Sequence, residues 1–167
     1  MAAQIELGHG NLLESDTEAL VNTVNTVGVM GKGIALQFRK AYPEVYLQYK
    51  RACDAGEVRS GRMLVTPTER LVGPRVVINF PTKRHWRSRS KLEDIEAGLD
   101  DLVRVIQEHE ISSIAMPPLG CGNGGLAWRE VRPILDKELG RLNDVCVVIY
   151  EPHGSADMDL APELTPS

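Results

Sequence analysis

The stretch VNTVNTVGVMGKGIA, residues 21–35, decides the fold of this chain. Its first part is apolar and β-branched, which predicts a buried strand over residues 19–22 that carries an asparagine at its end. Its second part is rich in glycine and leads into a helix predicted over residues 34–41, before Pro43. Glycine lets backbone N–H groups approach an anion, and a helix N-terminus adds partial positive charge. The stretch therefore predicts a phosphate-binding loop, although its spacing matches neither a dinucleotide fingerprint nor a P-loop.

A second glycine-rich loop strengthens this interpretation. LGCGNGGL, residues 119–126, follows a strand predicted over residues 112–118 and precedes a helix that begins near Ala127. If both loops lie at the carboxyl ends of strands in one open sheet, they can hold a diphosphate from two sides. The alternative is a pair of tight turns that only connect strand to helix. The asparagines before the first loop and the scarcity of side chains in the second favour binding.

Composition is typical of one soluble domain that can bury its own core, since the chain has 167 residues and is 43% hydrophobic and 25% charged. Without a long apolar run or a signal-peptide pattern, a cytoplasmic protein without membrane contact is expected. The net charge of −4 argues against a general nucleic-acid coat protein. We expect a monomeric domain over residues 1–153, and a disordered tail or the start of a linker to a missing C-terminal domain over residues 154–167.

The cysteines and histidines indicate no metal site. The three cysteines and four histidines lack metal-ligand spacing, so neither a metal nor another cofactor is expected. Cys121 lies in the second glycine-rich loop. A catalytic thiol is one interpretation of it, and a small residue that fills the loop is the favoured one.

The remaining elements alternate between strands and helices. Strands are predicted at residues 4–7, 63–67, 75–80 and 145–150, and helices at residues 44–55, 129–139 and in a long segment ending near residue 108. Ser90 and Glu93 form a capping-box pattern for the long helix. Its apolar residues repeat at helical spacing: Leu92, Ile95, Leu99, Leu102 and Ile106. This order predicts an α/β fold with helices on both faces of a central mixed sheet.

A basic segment, KRHWRSRSK at residues 83–91, contrasts with the acidic average of the chain. A solvated loop is one interpretation of such a charge run. The interleaved Trp86 favours another, because Arg and Lys bind phosphates while an aromatic ring stacks on a base.

The sequence resembles the macrodomain family, whose members bind ADP-ribose within a three-layer α/β/α fold. The resemblance covers residues 3–152 and rests on Gly10-Asn11-Leu12, residues 22–35 and residues 116–126. More narrowly, NFPTK at residues 79–83 and PLGCGNGGLAW at residues 118–128 resemble the DarG-type DNA ADP-ribosyl glycohydrolases, antitoxins that oppose the DNA-modifying DarT toxins.

This resemblance implies an ADP-ribose site. Asn11, Leu12 and Tyr150 would lie at the adenine, Asn25 beside the distal ribose, and the two loops around the phosphates. In full, the implied ADP-ribose-binding residues are Asn11, Leu12, Asn22, Asn25, Thr26, Gly31, Gly33, Ile34, Ala35, Pro118, Leu119, Gly120, Cys121, Gly122, Asn123, Gly124, Gly125, Leu126 and Tyr150. Tyr150 has an alternative role as an aromatic side chain that covers the core.

The resemblance also implies that Lys83 is the catalytic residue. In the related hydrolases the lysine is thought to attack C1″ of the distal ribose, through a Schiff-base-like intermediate, and Lys83 would do this or activate the sugar. The alternatives are a solvated lysine or a phosphate contact. The chain departs from the carboxylate-directed hydrolases, which carry an aspartate in the second loop where this chain has Gly124. The group that activates water beside Lys83 is therefore not identified by the sequence.

The leading functional interpretation is an enzyme that cleaves the N-glycosidic bond between ADP-ribose and a thymine base of single-stranded DNA. Arg84, His85, Trp86 and Arg87 would contact the DNA. The expected partners are ADP-ribose, ADP-ribosylated single-stranded DNA and a cognate DNA ADP-ribosyltransferase toxin. Three alternatives stay open: an ADP-ribose-binding module without catalysis, a hydrolase of ADP-ribosylated Glu or Asp side chains, and an antitoxin that acts only by binding its toxin.

Overall fold

The computed structural model describes residues 1–152, so the tail expected at residues 154–167 lies outside the described part. Its strands are β1 (Gln4–Gly8), β2 (Ala19–Asn25), β3 (Leu64–Pro67), β4 (Val76–Lys83), β5 (Ser113–Met116) and β6 (Cys146–Tyr150). Its helices are α1 (Gly33–Ala41), α2 (Pro43–Asp54), α3 (Leu92–Glu108) and α4 (Trp128–Leu139). Short 3-10 turns occupy Leu12–Glu14 and Gly122–Gly124.

The six strands form one mixed sheet in the order β1-β6-β5-β2-β4-β3. Every neighbouring pair is parallel except β3 and β4, which are antiparallel. The carboxyl ends of five strands therefore meet at one edge of the sheet, as two loops that share a ligand require.

Helices cover both faces of the sheet, which confirms the predicted three-layer α/β/α fold. Leu20 and Val77 pack against Phe38 of α1 on one face. Because side chains alternate along a strand, Val21 and Ile78 point to the other face and pack into the cluster built by α3 and α4. Within the described residues, none of the helices is both long and apolar enough for a membrane span.

Helix α3 lies unusually close to β4. A side chain at Gly98 would collide with the ring of Phe80, which has no exposed surface. The apolar residues predicted for the core face of α3 are buried or partly buried as expected. This contact holds the strand that ends at Lys83.

The capping-box prediction for α3 is wrong. The N-cap residue is Lys91, and no side chain caps this end of the helix. The backbone N–H of Ser90 instead donates to the Gly124 carbonyl at 2.9 Å, and its hydroxyl is buried without a partner in the described structure. A contact from a distant loop has therefore displaced the local cap.

Three strand boundaries also differ from prediction. Strand β2 continues to Asn25 and β4 continues through Pro81 to Lys83, whereas β5 stops at Met116, before two prolines. Pro81 is accommodated because the pairing of β4 with β3 ends at Asn79. The extensions of β2 and β4 carry Asn25 and Lys83 to the edge of the sheet, where they are register partners.

Candidate active site

A cleft of about 920 Å³ opens at the carboxyl edge of the sheet, a volume suited to a nucleotide-sized ligand. Both glycine-rich loops and the ends of β2, β4 and β6 line it. The predicted site residues on its surface are Asn11, Leu12, Asn25, Gly31, Gly33, Ile34, Ala35, Lys83, Trp86, Pro118, Gly120, Cys121, Gly122, Gly124 and Tyr150. The fold thus brings together residues predicted from five separate parts of the chain.

Asn22 and Leu119 do not line the cleft, which corrects their expected place. Both are fully buried. The Asn22 Nδ2 atom donates to Oδ1 of Asn79 on the adjacent strand at 3.5 Å. Asn22 therefore lies inside the sheet, and Leu119 supports the second loop from the core.

Thr26, Gly125 and Leu126 also lie off the cleft surface. The Thr26 hydroxyl and backbone N–H both donate to the Arg84 carbonyl, which ties the first loop to the basic segment. Leu126 packs on the core, and Gly125 lies against Arg89. Asn123 belongs to the turn Gly122–Gly124.

Asn25 folds the first glycine-rich loop. Its Oδ1 accepts hydrogen bonds from the N–H groups of Val27 and Val29, at 3.1 and 3.2 Å, and its Nδ2 donates to the Val29 carbonyl at 2.7 Å. The buried Tyr49 hydroxyl donates to the Asn25 carbonyl and Oδ1 at 2.7 and 2.9 Å. Asn25 lines the cleft as predicted, but most of its hydrogen-bonding capacity is used to shape the loop.

The first turn of α1 presents backbone N–H groups to the cleft. The N-cap residue Lys32 makes no side-chain cap, and the first turn contains no acidic residue. Gly33 has a φ of +64°, a conformation that glycine adopts without strain. The N–H groups of residues 33–35 have no partner within the helix, so this end of α1 is suited to bind a phosphate.

The second glycine-rich loop depends on glycine conformation and on close packing. Gly120, Gly122 and Gly125 all have positive φ angles. A side chain at Gly124 would meet the Ser90 hydroxyl, and its Cβ would lie 3.1 Å from the Ser90 Cβ. An aspartate at position 124 would therefore require Ser90 to move.

Lys83 extends into the cleft from the last residue of β4. Its Nζ donates to the Trp86 carbonyl at 3.4 Å. Burial lowers the pKa of the Lys83 ammonium, and the positive charge of Lys32 lowers it further. Both effects favour the neutral amine, which is the nucleophilic form.

Lys83 is the first residue of the basic segment, residues 83–91. Trp86 lines the cleft, with the His85 ring stacked at 5.4 Å between centroids and the Arg87 guanidinium 4.4 Å from its ring. Arg84 lies 3.5 Å from Asp94 of α3. Arg84, His85 and Arg87 lie outside the cleft, so of the four predicted DNA-contacting residues only Trp86 lines it.

Cys121 lines the cleft as an inert thiol. Burial raises its pKa to about 11, and nearby Glu130 contributes. The thiol is therefore neutral near pH 7, which supports the interpretation that it fills the loop. Within residues 1–152, no three His, Cys, Asp or Glu side chains converge as metal ligands.

Lys32 and Glu151 also line the cleft, and neither is among the site residues predicted from the sequence. The position of Lys32 could have been predicted, because it is a cation between Gly31 and Gly33, directly before α1. No local pattern marks Glu151, since it reaches the cleft only because β6 ends there. Its Oε2 accepts from Trp128 Nε1 at 3.3 Å and lies 3.9 Å from Arg132 Nη1.

Comparison with known proteins agrees with this geometry. The profile of the Macro domain family matches residues 21–135. A DNA ADP-ribosyl glycohydrolase of Mycobacterium tuberculosis is 58% identical over 152 residues, which are 91% of this chain and 43% of that protein. The chain therefore spans less than half the length of this relative.

Comparison with solved structures also identifies DarG and DarTG proteins as similar to this chain. The macrodomain of Mycobacterium tuberculosis DarG superimposes with a TM-score of 0.88 at 58% identity, covering 90% of this chain and 99% of that one. Thermosipho africanus DarTG in complex with ADP-ribose superimposes with a TM-score of 0.81 at 35% identity, covering 89% of this chain and 42% of that one. With a three-layer fold, a cleft at the carboxyl edge of the sheet and these matches, the chain belongs to the Macro domain family.

Proposed function

We propose that this domain removes ADP-ribose from thymidine bases of single-stranded DNA and so acts as the antitoxin of a DNA-ADP-ribosylating toxin. The observation that carries the proposal is Lys83: a partly desolvated lysine at the end of β4 that extends into the cleft lined by both glycine-rich loops. The name of the Mycobacterium tuberculosis relative, a DNA ADP-ribosyl glycohydrolase at 58% identity, supports the same activity.

The cleft suits ADP-ribose along its length. Tyr150 and Asn11 lie at the end formed by β6 and the segment after β1, which suits the adenine. The N–H groups that open α1 and the turn Gly122–Gly124 lie on the two loops that would hold the diphosphate. Asn25 and Lys83 lie together at the ends of β2 and β4, which suits the distal ribose.

The proposed chemistry uses the Lys83 amine as the nucleophile. A bond forms between Nζ and C1″ of the distal ribose, the bond from C1″ to the thymine nitrogen breaks, and that nitrogen takes the proton that Nζ releases on bonding. Water then adds to C1″ and the lysine leaves, which releases ADP-ribose and restores the amine. The attack needs the neutral amine, which the lowered pKa of Lys83 favours.

The DNA would leave the cleft across the basic segment. Trp86 is the aromatic residue of that segment that lines the cleft, and Arg87 lies over its ring. Arg87→Glu is expected to weaken cleavage of the modified oligonucleotide, most strongly at low salt, because it replaces a phosphate-binding charge with a repelling one. Unchanged activity at low salt would exclude a DNA contact at Arg87.

An ADP-ribose-binding module without catalysis is the second candidate. It is favoured by the second loop, which has no acidic residue between Pro117 and Trp128. Glu151, the acidic side chain that lines the described cleft, directly follows β6, three strands from β4, or roughly 14 Å by ordinary strand spacing. Binding of free ADP-ribose is common to both candidates, so only turnover separates them.

The deciding experiment measures release of ADP-ribose from a thymidine-ADP-ribosylated single-stranded oligonucleotide in the presence of a chelator. The protein is compared with Lys83→Ala and with Lys40→Ala, a matched control on the exposed last turn of α1. We expect cleavage by the protein and the control, and binding without cleavage by Lys83→Ala. If nothing cleaves although all bind ADP-ribose, the domain is a binding module.

An ADP-ribosylated carboxylate substrate tested in parallel identifies a protein-directed hydrolase, and co-purification with the toxin tests neutralisation by binding.

A further inference from the structure

The basic segment runs along the cleft from the end of β4 to the second glycine-rich loop. Lys83 and Trp86, in its first half, line the cleft. Near its other end, the N–H of Ser90 donates to the carbonyl of Gly124 at 2.9 Å, and Gly124 also lines the cleft. A DNA strand whose modified base reacts at Lys83 would therefore leave the cleft along this segment.

The guanidinium of Arg89 lies against the second loop. Its Nη2 donates to the Gly125 carbonyl at 3.4 Å. A Cβ at position 125 would lie 2.9 Å from Nε and 3.0 Å from Nη2 of Arg89, so the absence of a side chain at Gly125 makes room for the guanidinium. Gly125 directly follows Gly124, and consecutive Cα atoms are about 3.8 Å apart. Arg89 therefore lies beside the wall of the cleft.

The three arginines of the basic segment differ in what their guanidinium groups contact. Arg84 is 3.5 Å from the Asp94 carboxylate, and Arg87 lies over the Trp86 ring. Among residues 1–152, the exposed Arg89 side chain has neither a carboxylate partner nor an aromatic ring beneath it. A guanidinium carries five N–H donors in a planar fork that matches two oxygens of a phosphate. Most donors of Arg89 are therefore available to a ligand, while Gly125 holds the group in place.

We propose that Arg89, seated on Gly125, binds a backbone phosphate of the DNA strand next to the ADP-ribosylated thymidine. Arg87 and Lys91 precede and follow it in the segment, and this concentration of positive charge suits a polyanionic strand. The proposal rests on the proposed function, since it takes modified DNA as the substrate. It deepens that function because it gives the DNA strand a contact of its own, separate from the residues that would hold ADP-ribose.

The test measures how much the attached DNA adds to the affinity for ADP-ribose. Calorimetric titration gives the Kd of a thymidine-ADP-ribosylated single-stranded oligonucleotide and of free ADP-ribose, with Lys83→Ala present in every protein to prevent turnover. This Lys83→Ala parent is compared with added Arg89→Gln, Arg84→Gln or Arg51→Gln. Arg51 is a matched control, because it is an exposed arginine in the last turn of α2, outside the cleft and the basic segment. Free ADP-ribose lacks the DNA phosphates, so it reports whether the cleft of each variant is intact.

Arg89→Gln should weaken binding of the modified oligonucleotide and spare binding of free ADP-ribose. We expect a roughly threefold to tenfold higher Kd for the oligonucleotide at low salt, because one charge-assisted phosphate contact is lost. The dependence of log affinity on log salt concentration should become less steep by about 0.7, the contribution of one phosphate of a single strand. Arg84→Gln should have a smaller effect, since Asp94 already engages that guanidinium. Arg51→Gln should bind both ligands like the parent.

Binding and turnover separate two failures. An unchanged Kd of the oligonucleotide in Arg89→Gln at low salt overturns the phosphate contact. An equal loss in Arg84→Gln or Arg51→Gln also overturns it, because the total charge of the protein would then explain the effect. Release of ADP-ribose is measured separately with proteins that keep Lys83. If these proteins do not cleave the oligonucleotide but Arg89→Gln weakens its binding as expected, the DNA contact stands and the proposed hydrolase function fails.

Discussion

The two glycine-rich loops line one cleft but are held in different ways. The first, residues 26–32, is shaped by the Asn25 side chain, which is anchored in turn by Tyr49 of α2. The second, residues 119–126, relies on positive-φ glycines and on packing against Ser90 of the basic segment. The first loop is thus fixed by a side chain that accepts hydrogen bonds from its backbone N–H groups. The second loop is fixed by close packing, because its glycines leave space that a neighbouring side chain fills.

Asn25→Ala should have the largest effect on this comparison. It leaves the N–H groups of Val27 and Val29 without their acceptor. It also removes one of the two hydrogen-bond acceptors of the buried Tyr49 hydroxyl. We expect the free energy of unfolding to fall by about 2–4 kcal/mol and ADP-ribose affinity to fall at least roughly tenfold. Chemical denaturation and calorimetric titration measure both. Asn11→Ala is the control for stability, because Asn11 is an exposed residue that accepts one bond, from Leu13 N–H at 3.0 Å. Equal destabilisation by both changes would show that Asn25 does not organise the loop.

Gly124→Ala should have the next largest effect, in the second loop. The new methyl group meets Ser90, so we expect a loss of about 1–3 kcal/mol of unfolding free energy. Ser90→Ala removes the nearest atom and should recover part of the loss when the two changes are combined. A double-mutant cycle by thermal unfolding measures this coupling. Strict additivity of the two changes would mean that the loop does not depend on the Ser90 contact.

Tyr49→Phe should have a smaller effect than Asn25→Ala. It removes one buried hydroxyl donor but leaves the Asn25 bonds to the loop in place, so we expect a cost of about 1 kcal/mol. Tyr46→Phe, one turn earlier on α2, is the matched control and should be nearly neutral. Denaturant unfolding of the two variants decides whether α2 anchors the first loop. Equal unfolding midpoints for Tyr49→Phe and Tyr46→Phe would count against this anchoring.

Gly31→Ala should have the smallest effect. Its φ is not in the left-handed region, and a Cβ there would lie 3.5 Å from the Val29 side chain, an ordinary contact. We expect a change below about 0.5 kcal/mol in unfolding free energy. Gly33→Ala, at a φ of +64°, should cost about 1–2 kcal/mol. Equal melting temperatures for these two variants would show that the conformation of Gly33 is not needed at the start of α1.

Much of the architecture and part of the site could be predicted from local sequence. Both strand–loop–helix units and the cleft position of Lys83 were anticipated from glycine content, strand composition and a resemblance in residues 79–83. The capping box at Ser90 failed because a capping motif describes only neighbouring residues. The carbonyl that takes the Ser90 N–H belongs to Gly124, far along the chain, and no local pattern reports that contact.

The sequence by itself determined the order of strands, glycine-rich loops and helices, because periodicity and glycine conformation act over a few residues. The tertiary structure decided which of two similar asparagines reaches the cleft. Asn22 pairs with Asn79 inside the sheet, whereas a register shift between Val24 and Asn25 places Asn25 opposite Lys83. It also decided that Lys32 and Lys83 line the same cleft, since the parallel pairing of β2 with β4 and the start of α1 bring them to the same edge of the sheet. These placements depend on contacts between segments that are far apart in the sequence. Such contacts exist only once the sheet has formed, so no local pattern predicts them.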